Sequence, residues 1–227
     1  SAGHVAFVGN TIEAPRQLEE ELDGLPCDVP LTFLWFEKSP ADAVRQKYTG
    51  NFCSDDGSLG PNVNGRLSGL RAALTECELE KYRRLGKLAA EAMTVTIKQI
   101  MPGMTESEIA SILVAEGWKR QCHVPVALVA ADERIRKYRH PLPSVSRLLG
   151  EHKETQVRKY VMVVGCFLRE GLVVSLTRFK QVDLLPQEIL EAQVRISAVD
   201  AILQEETLPG RTMGEVFSAC HRAYDKF

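Results

Sequence analysis

Hydrophobic positions recur every three or four residues through "ECELEKYRRLGKLAAEAMTVTIKQI", where Leu79, Tyr82, Leu85, Ala89, Ala92, Met93, Thr96 and Ile100 form a single stripe. That period predicts one amphipathic helix whose stripe is a packing surface. A second helix is predicted from Thr105 to about Arg120. The period then changes to two in "VPVALVAAD", "KYVMVVGCFL" and "GLVVSLTRFKQV", which predicts antiparallel strands, with Arg169, Glu170 and Gly171 as a tight hairpin connection. From Leu185 the helical pattern returns in "PQEILEAQVRISAVDAILQEE". Ahead of all this the chain alternates: "HVAFVGN" reads as a strand, "APRQLEEEL" as a helix, "PLTFLWF" as a strand, and "SPADAVRQKY" as a helix opened by Ser39 and Pro40. This is an α/β rhythm with too few strands for a complete sheet. The Gly- and Asn-rich "NFCSDDGSLGPNVNG" reads as a linker, placing a domain boundary around residues 51–65.

The helical pairs share a junction. "PGMTESEIA" starts at Pro102 and "PGRTMGEVF" at Pro209. Pro-Gly stops the preceding helix, because glycine tolerates positive φ and proline cannot extend the hydrogen-bond ladder. Thr105 with Glu108, and Thr212 with Glu215, then supply capping boxes that open the next helix, as do Thr75 and Glu78 earlier. One copy alone is an ordinary helix junction, whereas two copies with matching flanks point to an internal duplication. The repeated unit is two helices followed by an antiparallel sheet, and the second copy reaches Phe227 before any strand. Its helices are expected to leave an apolar face exposed or borrowed, as in a piece of a longer protein.

Composition narrows the function classes. The formal net charge is −2, with 26% charged and 44% hydrophobic residues. No excess of basic charge favours nucleic acid or an anionic membrane. No apolar run is long enough to span a bilayer, and "SAGHVAFVGN" lacks the parts of a signal peptide. Ser1 is consistent with a processed end or a fragment. Cys27, Cys53, Cys77, Cys122, Cys166 and Cys220 include no Cys-x-x-Cys pair, a spacing that suits reduced thiols in a cytoplasmic protein. The adjacent pairs Cys122–His123 and Cys220–His221 cannot readily place both side chains on one tetrahedral ion, so no zinc site is expected.

The paired junctions, "RHPLP" at 139–143 and above all "GLVVSLTRF" at 171–179 resemble the pita-bread family of Xaa-Pro aminopeptidase, prolidase and creatinase. "NTIEAPRQLEEEL" is similar to the closing strand and helix of that family's N-terminal domain. The resemblance covers nearly the entire chain; "GLxxSxTRF" is its most specific piece. It implies an α+β (α/β) architecture: residues 1–65 as the end of an N-terminal α/β domain plus linker, and 66–227 as a partial pita-bread domain with an internal pseudo-two-fold repeat. The first repeat would be complete over about 75–182 and the second truncated. Homodimers and peptide or small amide substrates are further implications.

The family's peptidases use two divalent metal ions, such as Mn, Co or Zn, held by two Asp, one His and two Glu. Aligned on Gly165, the first Asp position falls at Val163; aligned on Thr177 and Arg178, the second falls at Ser175. A slip of one residue reaches Val164 or Val174, equally without oxygen ligands. The remaining ligands would fall beyond Phe227, so this chain as given is expected to hold no metal. Two candidates survive as catalytic or substrate-binding residues. His140 stands where the resemblance implies a substrate-facing His, which creatinase uses without metal; Pro141 and Pro143 beside it suit either a rigid functional loop or plain packing. Arg178 either orients a carboxylate or, the favoured reading, braces the sheet through a salt bridge. Ser175 has no His or Asp beside it in sequence and reads as a strand residue. "ADERIRKYRH" reads as a solvated loop. Three functions follow: a Xaa-Pro peptidase-like protein without the standard dinuclear site, a metal-independent creatinase-like C–N hydrolase using His140, or a non-catalytic peptide- or partner-binding module.

Overall fold

The computed structural model describes residues 3, 5–22, 24, 26–28, 30–138, 140–143 and 154–227. The chain forms two compact units, Ser1–Thr75 and Glu76–Phe227.

In the first unit, β1 (Val8–Asn10) pairs in parallel with β2 (Leu31–Phe33). A short α1 (Ala14–Arg16) continues as a π-helical turn over Gln17–Glu21 between them. The Asn10 side-chain oxygen starts that turn by accepting from the amides of Ile12 and Glu13 at 3.0 and 3.1 Å. Next comes α2 (Pro40–Lys47), opened by a capping box between Ser39 and Asp42. The segment predicted as a linker is instead folded into this unit. Ser54 pairs with Asn62, Arg45 Nη2 donates to the Ser58 carbonyl at 2.7 Å, and α3 (Asn64–Ala72) follows. The first compact unit thus runs through this segment to Thr75. Glycine and asparagine there make turns closed by hydrogen bonds, which composition alone reads as a spacer.

The second unit begins with α4 (Glu76–Gln99) and α5 (Glu106–Lys119), then β3 (His123–Ala131), a short α6 (Glu133–Lys137), β4 (Tyr160–Arg169), β5 (Leu172–Gln181), α7 (Gln187–Glu206) and α8 (Met213–Lys226). The strands form one antiparallel sheet in the order β3-β4-β5. Glu170 and Gly171, at φ 51° and 78°, make the two-residue turn that pairs Arg169 with Leu172. One sheet face, carrying Val129, Val161, Val163 and Phe167, is buried with Leu85, Ala89 and Met93 of α4 and Ile109 and Leu113 of α5. Each large side chain so buried contributes about 1.5–3 kcal/mol. Gly117 lets α5 approach β3, since a Cβ there would sit 2.3 Å from Val124 Cγ2. Lys180 Nζ donates to the Ile97 and Ile100 carbonyls at 3.0 and 2.8 Å and so closes the C-terminus of α4.

The two junctions adopt one geometry. Gly103 and Gly210 both have φ 88°. Thr105 and Thr212 sit in extended backbone, accepting from Glu108 N at 3.2 Å and Glu215 N at 3.3 Å, and each glutamate returns the bond to its threonine amide at 2.7 Å.

Candidate functional site

The candidate site is the sheet face turned away from α4 and α5. Strict alternation decides which side chains reach it. Because the Glu170–Gly171 turn pairs Arg169 with Leu172, Cys166 stands opposite Ser175, Val164 opposite Thr177, and Met162 opposite Phe179. These form the open face together with Val126 and Leu128 of β3. Cys166 Sγ and Ser175 Oγ lie 3.2 Å apart, the thiol half-buried and the serine exposed.

The same register corrects the sequence alignment. Val163 pairs with Arg178, not with Ser175, and is fully buried in the helix-facing core. The two residues aligned with metal-ligand positions thus point to opposite faces of the sheet, and Val164 is the β4 residue on the face of Ser175. Counting back from a two-residue turn at Glu170–Gly171 would have given this register from sequence alone.

The donor set does not fit two hard divalent cations, which need several carboxylate oxygens. No Asp or Glu occurs in β3, β4 or β5. The Cys166 thiol and the hydroxyls of Ser175 and Thr177 are what the open face offers, and no group of three or more His, Cys, Asp or Glu gathers among the described residues. The adjacent Cys–His pairs are engaged otherwise: Cys122 is buried, His123 stacks on Trp118 at 4.3 Å, and His221 meets Phe217 edge-on at 4.6 Å. All six cysteines are free thiols.

The stretch expected to be a solvated loop is built into the fold. Asp132 closes β3 at φ 51° and ψ −123°, a backbone uncommon for any residue but glycine. Its carboxylate accepts from three successive amides at the start of β4: Arg158 at 3.0 Å, Lys159 at 2.8 Å and Tyr160 at 3.1 Å. Glu106, fully buried at the start of α5, accepts from Ala131 N at 2.8 Å and pairs with Arg134 on α6. Arg134 reaches on to the Leu142 carbonyl at 2.9 Å. Sequence reasoning missed both carboxylates: an acid in a helix's first turn, as Glu106 is, ordinarily faces water, and the partners of Asp132 lie far along the chain.

His140 is exposed, directly before buried Pro141 in the segment that Arg134 anchors. Arg139 of the "RHPLP" motif lies outside the described residues. Arg178 is exposed and makes no ion pair among the described residues; its Nη1 is 3.4 Å from its neighbour's carbonyl, Thr177 O. The expected bracing ion pair is not among the contacts of the described residues. Arg178 lines a groove of about 670 Å3 between β5 and α7 with Tyr160, Phe179, Leu185, Ile189 and Ile196. Burial, with the Glu133 carboxylate adding to it, pushes the Tyr160 phenol above its ordinary range.

Solved structures share the fold. An X-Pro aminopeptidase from Thermotoga maritima MSB8 superposes with a TM-score of 0.71 at 14% identity, covering 100% of this chain and 66% of that one. A prolidase from Pyrococcus furiosus gives 0.73 at 16%, with coverages of 96% and 65%. The dipeptidase PepE from Mycobacterium ulcerans gives 0.72 at 14%, with coverages of 99% and 63%. The chain has the pita-bread fold. At these identities the likeness is one of fold, and the chain spans less than two thirds of the length of each of these structures. No protein-family model and no curated protein matches the sequence. Among the described residues no helix is long and apolar enough to cross a membrane.

Proposed function

We propose that this pita-bread chain is a Xaa-Pro peptidase-like protein that does not work as a standard dinuclear metallopeptidase. The observation that carries the reading is the open face of the sheet, where Val164, Cys166, Ser175 and Thr177 stand in place of any carboxylate. The fold likeness supports peptides or small amides as the molecules recognised. Six free thiols suit a cytoplasmic setting.

A second reading, a metal-independent C–N hydrolase of creatinase type, draws on His140. The ring is exposed, and the backbone beside it is tied through Leu142 and Arg134 to buried Glu106. Such anchoring suits a general acid or base that must keep its aim.

The test pairs elemental analysis with hydrolysis of Xaa-Pro dipeptides, with and without chelator. The expected outcome is no stoichiometric metal and no chelator-sensitive turnover. Turnover that resists chelator and disappears in His140→Ala would select the second reading. Near-stoichiometric metal with chelator-sensitive turnover would overturn both.

A further inference from the structure

We propose that the cavity between α6, the start of β4 and the N-terminal end of α7 binds a small apolar α-amino acid as its zwitterion. The carboxylate would sit on Arg158 and the Tyr160 hydroxyl, the ammonium on Glu133, and the side chain against Pro186 and Ile189. The cavity holds about 230 Å3 and uses none of Cys166, Ser175 and His140, so it stands whichever reading of those residues holds. Along β4, Tyr160 lies about 20 Å from Cys166.

Three observations carry it. First, Tyr160 is 8% exposed, yet its hydroxyl makes no hydrogen bond among the described residues and is not sealed from solvent. A largely buried phenol with a free O–H at a cavity wall is a polar group without its partner. Besides burial, the charges that act on it are those of Glu133, Arg136, Asp132 and Glu188, which places the phenol beside this cavity. Second, the walls are fixed. The Asp132 carboxylate holds the amides of Arg158, Lys159 and Tyr160, three successive residues that all line the cavity. Arg136 of α6 pairs with Glu188 of α7 at 3.1 Å and ties two walls together. Asp132 keeps an uncommon backbone to make this arrangement, which is the kind of strain found where a site is held in advance of its ligand. Third, the charges balance but are unequally engaged. Arg136, Arg158 and Lys159 are matched by Asp132, Glu133 and Glu188, so the surroundings favour a ligand of no net charge over a phosphate or a lone cation. Arg136, Glu188 and Asp132 are occupied with each other or with amides, whereas Arg158, Lys159 and Glu133 have no ion pair among the described residues. What remains free is two cations and a hydroxyl at the start of β4 and one carboxylate on α6, the complement of the two ends of an α-amino acid. Pro186 and Ile189 supply an apolar wall, and the volume lies below the about 300–1,000 Å3 of pockets for drug-sized ligands.

The experiment uses the full chain and four probes: L-valine, its amide, which lacks the carboxylate, N-acetyl-L-valine, which lacks the ammonium, and inorganic phosphate. Binding is read by calorimetry, and the site by amide NMR shifts within 133–137, 158–160 and 187–189. L-valine is expected to shift those amides and to bind about tenfold more tightly than either blocked form, the size of one charge-assisted contact. Arg158→Gln should erase the preference over the amide alone, and Glu133→Gln the preference over N-acetylvaline alone. Tyr160→Phe, which removes the hydroxyl and keeps the ring, should weaken L-valine about tenfold while the preference over N-acetylvaline persists. Each preference is a ratio taken within one folded protein, so a general loss of stability does not imitate its disappearance. Failure of L-valine to bind at millimolar concentration, or shifts confined to amides elsewhere, would overturn the proposal. So would equal binding of valine and its two blocked forms, which marks an apolar hollow. Phosphate that displaces valine from the same amides would overturn it too, and would assign the cavity to anions.

Discussion

Residues 102–119 and 209–226 enter their helices through the same turn and then bury different things. Ile109 and Val216, each directly after its capping glutamate, are both buried. Leu113 and Cys220, at equal distances from those glutamates, part company: Leu113 is sealed into the sheet core, whereas Cys220 is half-buried. Glu106 and Met213, each directly after its capping threonine, are 0% and 84% exposed. Phe217 and Tyr224 on α8 and Phe227 just after it also lie at 65%, 59% and 44% exposure, while α8, which packs against α7, buries Val216, Ala219 and Ala223. The junction chemistry is local and repeats faithfully. What the helix becomes afterwards is decided by whether a sheet lies against it.

The sharpest way to break this comparison is to truncate the two equivalent core positions. Leu113→Ala removes a fully buried side chain from between α5 and the sheet and is expected to cost about 4 kcal/mol, read as a fall in the urea midpoint. Cys220→Ala should cost less than about 1 kcal/mol, since the half-buried thiol gives up little area. Similar losses at both positions would mean that α8 is covered in solution by something that buries Cys220.

A smaller contrast is expected one turn earlier. Glu106→Gln leaves Arg134 without its charge partner and weakens the bond to Ala131 N, a loss of about 3 kcal/mol by analogy with other broken buried pairs. It should also raise amide exchange over 134–143, because Arg134 links Glu106 to the Leu142 carbonyl. Met213→Gln, on an exposed side chain, should stay within about 0.5 kcal/mol of the wild type.

The elements of the second unit were legible in the sequence because each obeys a local rule: period 3.6 in α4, period two in β4 and β5, Pro-Gly and Thr-x-x-Glu at the junctions. Register was legible too, but only by counting from the Glu170–Gly171 turn, and aligning on Gly165 instead put Val163 on the wrong face. What the sequence hid was long-range. Nothing near Glu106 announces that Ala131 and Arg134 will come to it, and nothing near Asp132 announces that its carboxylate will hold three amides of a strand that begins far along the chain. The standing of Arg178 was open for the same reason: a brace needs a carboxylate partner, and among the described residues none pairs with it.

The finest test of the comparison lies in the caps, where the two regions should not differ at all. Thr105→Ala and Thr212→Ala should each cost about 1 kcal/mol of local helix stability, read by amide exchange in the first turns of α5 and α8. The glutamates add a pH dependence of defined sign. Hydrogen bonds from the backbone amide, and then the hydroxyl, of Thr105 hold Glu108 below its ordinary value of 4.5, and those of Thr212 do the same for Glu215. A carboxyl depressed in the folded state binds its proton less readily than in the unfolded chain, so its contribution is fully present above 4.5 and drains away as pH falls through the depressed value. Exchange in both first turns should therefore accelerate together over that interval. Glu108→Gln and Glu215→Gln, which keep an acceptor for the threonine amide but cannot titrate, should each flatten the response in their own helix alone. A response in α5 without one in α8 would show that the α8 cap is not formed in solution, and that the likeness of the two junctions ends at their sequences.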